Sequence, residues 1–201
     1  MLNSGALNSA ALNSRRGFSV GFVDWSLLAP VERQSIYVLD IEGVRLPVSS
    51  AQATMRLEGQ SFMQVVVPAG SEYIDSLEGL LQAQMKLKSG FRYADGTESP
   101  LEDIAEAPFE ILRRDEGPYR DTLTLSGYGP RSVSAPTTRQ LVNVQTRSSG
   151  TSGSRRVRCD IDLFLRPGHT AIDGDGAEFS VGIIQYFIGA QTEAMEVLQD
   201  G

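Results

Sequence analysis

Nucleophilic catalysis is the first chemistry that the residue types suggest. The run Gly17-Phe18-Ser19-Val20-Gly21 matches the G-x-S-x-G pattern, in which a serine occupies a sharp turn between a strand and a helix, and aspartates and His169 follow it along the chain. Here Phe18, Val20 and Phe22 alternate with other residues, as they do in a strand. The succession of strands and helices that such hydrolases need is missing, so the pattern does not predict a serine hydrolase.

The single histidine and the single cysteine also argue against catalysis. His169 follows Leu165-Arg166-Pro167-Gly168, which is typical of a tight turn, and an isolated turn histidine is expected to be exposed. Cys159 is an apolar member of an alternating run, which predicts a buried, unreactive thiol. One residue of each type excludes an intrachain disulfide and the usual zinc sites within one chain. We therefore predict no catalytic, cofactor-binding or metal-binding residues, and no cofactor.

An acidic glycine-rich run, Asp173-Gly174-Asp175-Gly176, begins like a calcium-binding loop. An EF-hand needs ligands at set positions over twelve residues and a helix on each side. Here the following residues continue as a strand from Phe179, so the run is interpreted as a turn between Thr170–Ile172 and that strand. The sequence leaves open whether Asp173 and Asp175 bind a divalent ion.

Four arginines form a local basic cluster: Arg147, Arg155, Arg156 and Arg158. No aromatic residues alternate with them, so a stacking platform for single-stranded nucleic acid is not indicated. The formal net charge of −7 also argues against general nucleic-acid binding, which needs a basic face. We predict that Arg155, Arg156 and Arg158 contact a neighbouring subunit, with a purely solubilising role as the alternative.

The N-terminus carries a short repeat, Leu-Asn-Ser at 2–4, 7–9 and 12–14. Its period of five fits neither a helix nor a strand. Leu2, Leu7 and Leu12 are predicted to anchor an extended N-terminal arm, residues 1–17, on a neighbouring subunit, although a low-complexity leader is an equal alternative. The segment lacks the order of a signal peptide and no run is long enough for a membrane span, so we expect a protein made in the cytoplasm with no membrane partner.

Alternation with a period of two dominates the remaining chain. Ala53-Met55-Leu57, Leu81-Ala83-Met85-Leu87 and Val157-Cys159-Ile161-Leu163 each alternate with polar residues, as half-buried strands do. Helical patterns are scarce, and the best of them is Ser71–Leu81. The fold class is therefore predicted as mostly β: one or two small β-barrels with one short helix and the extended N-terminal arm. Further strands are predicted at Ile36–Ile41, Phe62–Val67, Phe109–Leu112, Thr122–Tyr128, Leu141–Thr146, Arg155–Leu163, Thr170–Ile172, Phe179–Ile188 and Ala194–Leu198.

Turn-forming residues suggest a division of the chain. Gly129, Pro130 and Pro136 interrupt the alternation, which predicts a first β region at 18–129 and a second at 130–201, either separate or interleaved with the first. Ser148–Ser154 is predicted to be the tip of a long hairpin, and Asp95-Gly96 another hairpin turn.

Parts of this pattern resemble the hub and tip proteins of phage tails. The run Arg166-Pro167-Gly168-His169-Thr170 is similar to their R-P-G-x-T turn, and Gly176–Val181 and Met195-Glu196-Val197 are similar to strands of their barrel. Met63–Leu87 and Gly127-Tyr128 resemble their first barrel, so the likeness spans residues 50–200. His169 departs from it, since an acidic or polar residue is common there.

The resemblance implies a structural protein of the virion tail. Such a chain would form a homo-oligomeric ring, a trimer or a hexamer, on the tail axis of the baseplate. Its partners would be the tail tube or distal tail ring, the tape-measure protein and the spike or fibre protein. A ring whose protomers meet head to tail also removes exposed sheet edges. Neither an enzymatic activity nor a specific nucleic-acid partner is expected.

A carbohydrate-binding or ligand-binding β-sandwich module is the alternative function. Such a module carries exposed aromatic residues on one β face. The aromatic residues are scattered along the sequence rather than grouped, which weakens this alternative: Trp25, Tyr73, Tyr93, Tyr119 and Tyr128.

Overall fold

Strands make up almost all of the regular structure. The computed structural model describes residues 33–68, 77–116, 121–132, 134–149, 153–190 and 192–200 of the 201-residue chain. The strands are β1 (Arg33–Ile41), β2 (Val44–Pro47), β3 (Ser50–Arg56), β4 (Ser61–Pro68), β5 (Gln84–Tyr93), β6 (Glu102–Pro108), β7 (Ile111–Glu116), β8 (Asp121–Gly129), β9 (Thr138–Gln140), β10 (Thr146–Ser149), β11 (Arg155–Cys159), β12 (Thr170–Ile172), β13 (Glu178–Gly189) and β14 (Thr192–Gln199).

The smaller sheet has four antiparallel strands in the order β2-β1-β5-β6. A two-residue turn joins β1 to β2, and both of its residues, Glu42 and Gly43, have positive φ. This geometry matches the right-handed twist of the strands, and the Gly43 N–H donates to Asp40 Oδ1 over 3.0 Å.

The larger sheet combines strands from both halves of the chain. Its main path is β10-β11-β14-β13-β3-β4-β8-β7, and all of these neighbours are antiparallel. The long strand β13 pairs with β14 on one side and with β3 on the other, so residues before 129 and residues after 130 share one sheet. The start of β13 also pairs with β12, which pairs with β9 in parallel.

The larger sheet has one apolar face and one mixed face, as its alternating sequence predicts. Side chains that are directly opposite on paired strands lie on the same face. Met63 on β4, Leu125 on β8 and Tyr186 on β13 belong to the face that packs into the core, and all three are fully buried. The opposite face, which we call the outer face, carries the residues between them and is partly open to solvent.

The two sheets meet where β6 crosses β8. A Cβ atom on Gly127 would lie 1.7 Å from the Pro108 carbonyl oxygen, and one on Gly129 would lie 2.9 Å from the Glu106 carbonyl oxygen. The backbones are therefore closer here than any side chain allows, and glycine is required for this contact. Residues 109–110 then carry the chain from the smaller sheet into β7 of the larger one.

The alternating segments of the sequence form strands, but the prediction that these strands close into barrels is wrong. Neither sheet closes on itself: within the described residues β2 and β6 end the smaller sheet, and β7 and β10 end the main path of the larger one. Closure needs the two end strands to pair, and which strands are neighbours depends on contacts between distant residues. A period of two gives each strand its buried face and contains no such information.

Four predicted segments differ locally from the structure. The strand expected at Phe109–Leu112 begins only at Ile111, because residues 109–110 connect the two sheets. The strand expected from Leu81 begins at Gln84, because Gln82 has a φ of +75° and Leu81 is exposed. The strand expected at 141–146 is a loop with Asn143 at a φ of +51°, and β10 starts only at Thr146. The strand expected at Arg155–Leu163 ends at Cys159, because the chain turns at Asp160.

Some predictions fall outside the described residues. Most of the helix expected at Ser71–Leu81 does; among its described residues, Leu77 and Glu78 are helical and a turn follows them. The N-terminal arm with Leu2, Leu7 and Leu12, and the Gly17–Gly21 pattern, also lie outside it. No helix in the described ranges is long and apolar enough to cross a membrane.

Candidate assembly surfaces

The arginine cluster is divided between the two faces of the larger sheet. Along β11, Val157 and Cys159 are fully buried, so the alternation places Arg156 and Arg158 on the outer face. Arg155 lies on the same side as Val157. The sequence brings these arginines together, but the strand separates them into two ion-pair groups.

On the outer face, Glu196 of β14 neutralises two arginines. Arg156 forms a short, charge-assisted hydrogen bond with the Glu196 carboxylate, and Arg158 lies 3.6 Å from the same carboxylate. The Arg158 guanidinium also lies over the Phe187 ring of β13, 5.8 Å from its centroid. These contacts connect β11, β14 and β13 through side chains in addition to their backbone hydrogen bonds.

On the other face, Asp173 binds two arginines from the β10–β11 hairpin. Arg147 Nε donates to both carboxylate oxygens of Asp173 over 2.9 Å, and Arg155 donates to one of them over 3.0 Å. Arg155 also reaches Asp175 at 3.3 Å. The Asp173 side chain has no exposed area. We call Arg147, Arg155, Asp173 and Asp175 the hairpin clamp, because they connect that hairpin to the turn between β12 and β13.

The clamp controls the charge state of its buried carboxylate. Burial alone would raise the pKa of Asp173, but hydrogen bonds from Arg147 and from the Gly174 N–H stabilise the ionised form, and the net effect is a pKa below the ordinary value. In turn, Asp173 raises the pKa of Arg147. A Cβ on Gly174 would lie 2.8 Å from an Arg147 guanidinium nitrogen, so this glycine leaves room for the arginine.

The turn predicted at Asp173–Gly176 is confirmed. The Gly176 N–H donates to the Asp173 carbonyl over 2.9 Å, and Gly176 has a φ of +84°, which glycine adopts without strain. The Asp173 carboxylate accepts from Arg147, Arg155 and Gly174, so a cation at this turn would have to displace those donors.

His169 is buried, which corrects the expectation of an exposed turn histidine. Only 6% of its surface is accessible, and its Nδ1 accepts a hydrogen bond from the Arg166 N–H over 3.3 Å. Burial is the main cause that lowers the pKa of His169, and the charges of Arg139 and Arg166 lower it further. The turn does form, with Gly168 at a φ of +89°, but the loop around Ala135 covers it. Sequence spacing does not show which distant loop covers a turn.

Cys159 is a buried thiol, as predicted. It has no exposed area, and burial raises its pKa to about 12. A thiolate therefore does not form at neutral pH, which makes the residue unreactive.

The end strands of the larger sheet are exposed. All four residues of β10 are exposed, and Ile111 on β7 has 52% of its surface accessible. These edges present unpaired backbone groups that can accept another strand. Because β7 and β10 differ in sequence and lie at opposite ends of the main path, the protomer has two unlike edges.

A cavity of about 300 Å³ lies between β6 and the β3–β4 pair. The apolar side chains of Met55, Met63 and Ile104 line its inner part, and Glu106 and Arg131 are at its rim. The cavity is open to solvent and lies beside the outward edge of β6, with which no described strand pairs.

The sequence did not reveal one aromatic pair on the outer face. Phe62 and Tyr128 are direct partners in the register of β4 and β8, and their ring centroids are 5.0 Å apart. Gln64 and Ser126 are the next partners on the same face. The two aromatic residues are 66 positions apart in the chain, so only the strand register could have identified the pair.

Comparisons with known proteins give a likeness of fold. No protein-family model and no curated sequence matches the chain. A tail protein from Neisseria meningitidis MC58 has a TM-score of 0.54 at 8% identity, covering 82% of this chain and 95% of the other. The 43 kDa tail protein of prophage MuSo2 from Shewanella oneidensis has a TM-score of 0.51 at 7% identity, covering 83% and 98%.

A third similar structure comes from a secretion system. It is an E. coli component of the type VI secretion system that is structurally similar to the tail proteins gp27 and gp5 of bacteriophage T4. Its TM-score is 0.51 at 7% identity, and the match covers 80% of this chain and 75% of the other. The chain thus has the fold of phage tail proteins and of a related secretion component.

Proposed function

We propose that this chain is a structural, non-enzymatic protein of a phage tail tip or baseplate hub. It forms a ring on the tail axis and links the tail tube, the tape-measure protein and the spike or fibre protein. The observation that carries the proposal is the fold shared with two tail proteins over more than four fifths of this chain. A location in the virion tail follows from the same proposal.

The two unlike edges of the larger sheet support a ring. In a cyclic oligomer with head-to-tail contacts, each protomer uses two different surfaces, one for each neighbour. β7 and β10 are two such surfaces on one sheet. A trimer or hexamer that joins them would cover both exposed edges, including Ile111.

Coexpression tests the proposed partners. The chain is produced together with the tail-tube, tape-measure and spike proteins encoded in the same genome, and complexes are isolated through a tag on this chain. We expect a ring that retains at least one of these proteins. Failure to form a ring and to retain any of them would contradict the proposal.

A matched pair of variants tests the ring contact. Ile111→Asp places a charge on the β7 edge, whereas Val142→Asp places the same charge on a loop residue with 64% of its surface exposed. We expect Ile111→Asp to reduce ring formation while both variants melt like the unmodified protein. Equal assembly by the two variants would exclude β7 from the contact.

The outer face favours a second candidate function, a carbohydrate-binding module. Phe62 and Tyr128 form an aromatic pair beside Gln64 and Ser126, and rings next to neutral hydrogen-bonding groups suit a sugar. Calorimetry with neutral oligosaccharides tests this candidate. Binding that is lost in Tyr128→Ala, by a protein that is a monomer, would favour the module over the hub.

A further inference from the structure

The outward edge of β6 borders a cavity that has an apolar inner part and a polar rim. β5 pairs with one side of β6, and toward Pro108 the other side rests against Gly127 and Gly129 of β8. From Asp103 to Glu106 the strand instead borders the cavity described above. Strand edges that border an apolar groove are sites where an extended segment adds to a sheet, with side chains entering the groove.

The cavity suits aliphatic side chains of modest size. Its volume is about 300 Å³, and its inner part is formed by Met55, Met63 and Ile104. Methionine side chains adapt to irregular apolar partners. A bound segment could place leucine and alanine side chains in this inner part. Small polar residues between them would then face the polar rim and the solvent.

Strand β6 also carries exposed acidic residues. Glu102 and Glu106 are exposed, and no residue in the described ranges forms an ion pair with either. Asp103 differs, because Lys88 lies 3.3 Å from its carboxylate. Two arginines also line the cavity: Arg166 donates to the carbonyls of Leu163, Leu165 and Asp103, and Arg131 is exposed at the rim.

We propose that residues 1–16 of a second copy of this chain lie along β6 and fill this cavity. Leu2, Leu7 and Leu12 supply aliphatic side chains, and Asn, Ser and Ala separate them. Arg15 and Arg16 follow without any acidic residue in the segment, so the arm is basic, and β6 offers it the exposed carboxylates of Glu102 and Glu106. The inference rests on the proposed ring, because it requires an adjacent copy.

The length of the segment allows this contact. Thirty-two residues precede β1, which begins at Arg33. Sixteen residues in extended conformation span about 50 Å, at roughly 3.3 Å per residue, so the arm can cross to an adjacent protomer of this size.

Cross-linking between differently tagged copies tests the assignment. One copy carries Leu7→Cys, the other carries Glu106→Cys, and the two are coassembled and treated with a short bismaleimide. The native Cys159 is buried with a raised pKa and gives no background. Glu178→Cys is the matched control, because Glu178 is an exposed glutamate on β13, away from the cavity.

We expect a product containing both tags with Glu106→Cys, at a yield several-fold above that with Glu178→Cys. Equal yields would overturn the assignment to β6. A single chain carrying Leu7→Cys and Glu106→Cys is measured as well. If it cross-links only within itself, the arm binds its own chain and the proposal is wrong.

Hydrogen exchange provides a second readout that leaves β6 unmodified. Removal of residues 1–16 should make the amides of residues 102–106 exchange roughly tenfold faster, while those of the β3–β4 pair keep their rates. Unchanged exchange at β6 would overturn the proposal. Light scattering on the full-length protein separates the two hypotheses. A ring in which β6 gives no cross-link refutes only the arm site, whereas a full-length protein that stays a monomer refutes the ring.

Discussion

At the scale of single residues, Asp173 connects two segments of the chain through its side chain. Its fully buried carboxylate binds Arg147 and Arg155, which belong to the β10–β11 hairpin. Asp173→Asn removes the carboxylate that binds Arg147 and leaves Arg155 with only its contact to Asp175, at 3.3 Å. Because both arginines are partly exposed, we expect a loss of about 2 kcal/mol in the free energy of unfolding, less than for a fully buried pair. Urea denaturation measures it.

Asp175→Asn is the control for this prediction. Asp175 contacts only Arg155 among the clamp arginines and its side chain is 48% exposed, so its removal should change stability by less than about 0.5 kcal/mol. Equal losses for the two variants would mean that the clamp does not act through the buried carboxylate.

The stability difference between the unmodified protein and Asp173→Asn should depend on pH. The pKa of Asp173 is lower in the folded state than in the unfolded chain, where it is about 3.9. The carboxylate therefore stabilises the fold above that value, and the stabilisation is lost as the pH falls toward the folded-state pKa. Denaturation curves at pH 6 and pH 3 should show a smaller difference at pH 3; a constant difference would contradict the assignment.

His169 allows a direct measurement, because it is the only histidine in the chain. Burial and the nearby arginines disfavour its charged form, so its pKa should lie below the ordinary value of 6.5. A proton NMR titration of the single imidazole C2–H resonance measures this pKa. A value at or above 6.5 would mean that the imidazole is exposed or paired with a carboxylate.

Residue-level chemistry was only partly predictable. The alternation in Arg156-Val157-Arg158-Cys159 correctly placed the two apolar residues in the core and the arginines opposite them. It could not identify Glu196 as their partner, since that contact depends on β11 pairing with β14, about 40 residues away. The interface role predicted for Arg155, Arg156 and Arg158 stays a prediction.

At the scale of elements, the contact between β6 and β8 depends on Gly127. Gly127→Ala would place a Cβ 1.7 Å from the Pro108 carbonyl oxygen, which the backbone can relieve only by moving one sheet relative to the other. We expect a loss of about 3 kcal/mol or failure to fold. Thermal melting followed by circular dichroism measures the change.

Gly189→Ala is the matched control for Gly127→Ala. Gly189 also lies in a strand, but the atom nearest to a Cβ added there would be the Ser50 Cβ at 3.8 Å, an ordinary contact distance. Its stability should change by less than about 1 kcal/mol. If both variants melt alike, close approach at Gly127 does not limit the packing of the sheets.

Element positions were more predictable than element neighbours. Phe62–Val67 and Thr122–Tyr128 lie within β4 and β8, because alternation and turn residues are local properties. The pairing of β13 with β3 joins segments more than 100 residues apart, and nothing local specifies it. The expected barrels failed for this reason, since closure depends on which strands end the sheet.

At the scale of the whole molecule, the fold agrees with the resemblance seen in the sequence at the level of phage tail proteins. The short motifs around Arg166–Thr170 and Gly127-Tyr128 lie in a turn and in the β6–β8 contact, which are structural positions. Such motifs reflect the local geometry that the fold requires. They do not specify the hub, its symmetry or its partners, which depend on surfaces formed between chains.

The mass of the protein in solution shows whether this chain forms a closed ring. Light scattering coupled to size-exclusion chromatography should be run over a concentration series, with and without the coexpressed tail proteins. We expect one species at three or six times the chain mass of 21.8 kDa, formed by the chain alone or with a tail partner. A monomer at every concentration, with and without those partners, would contradict it.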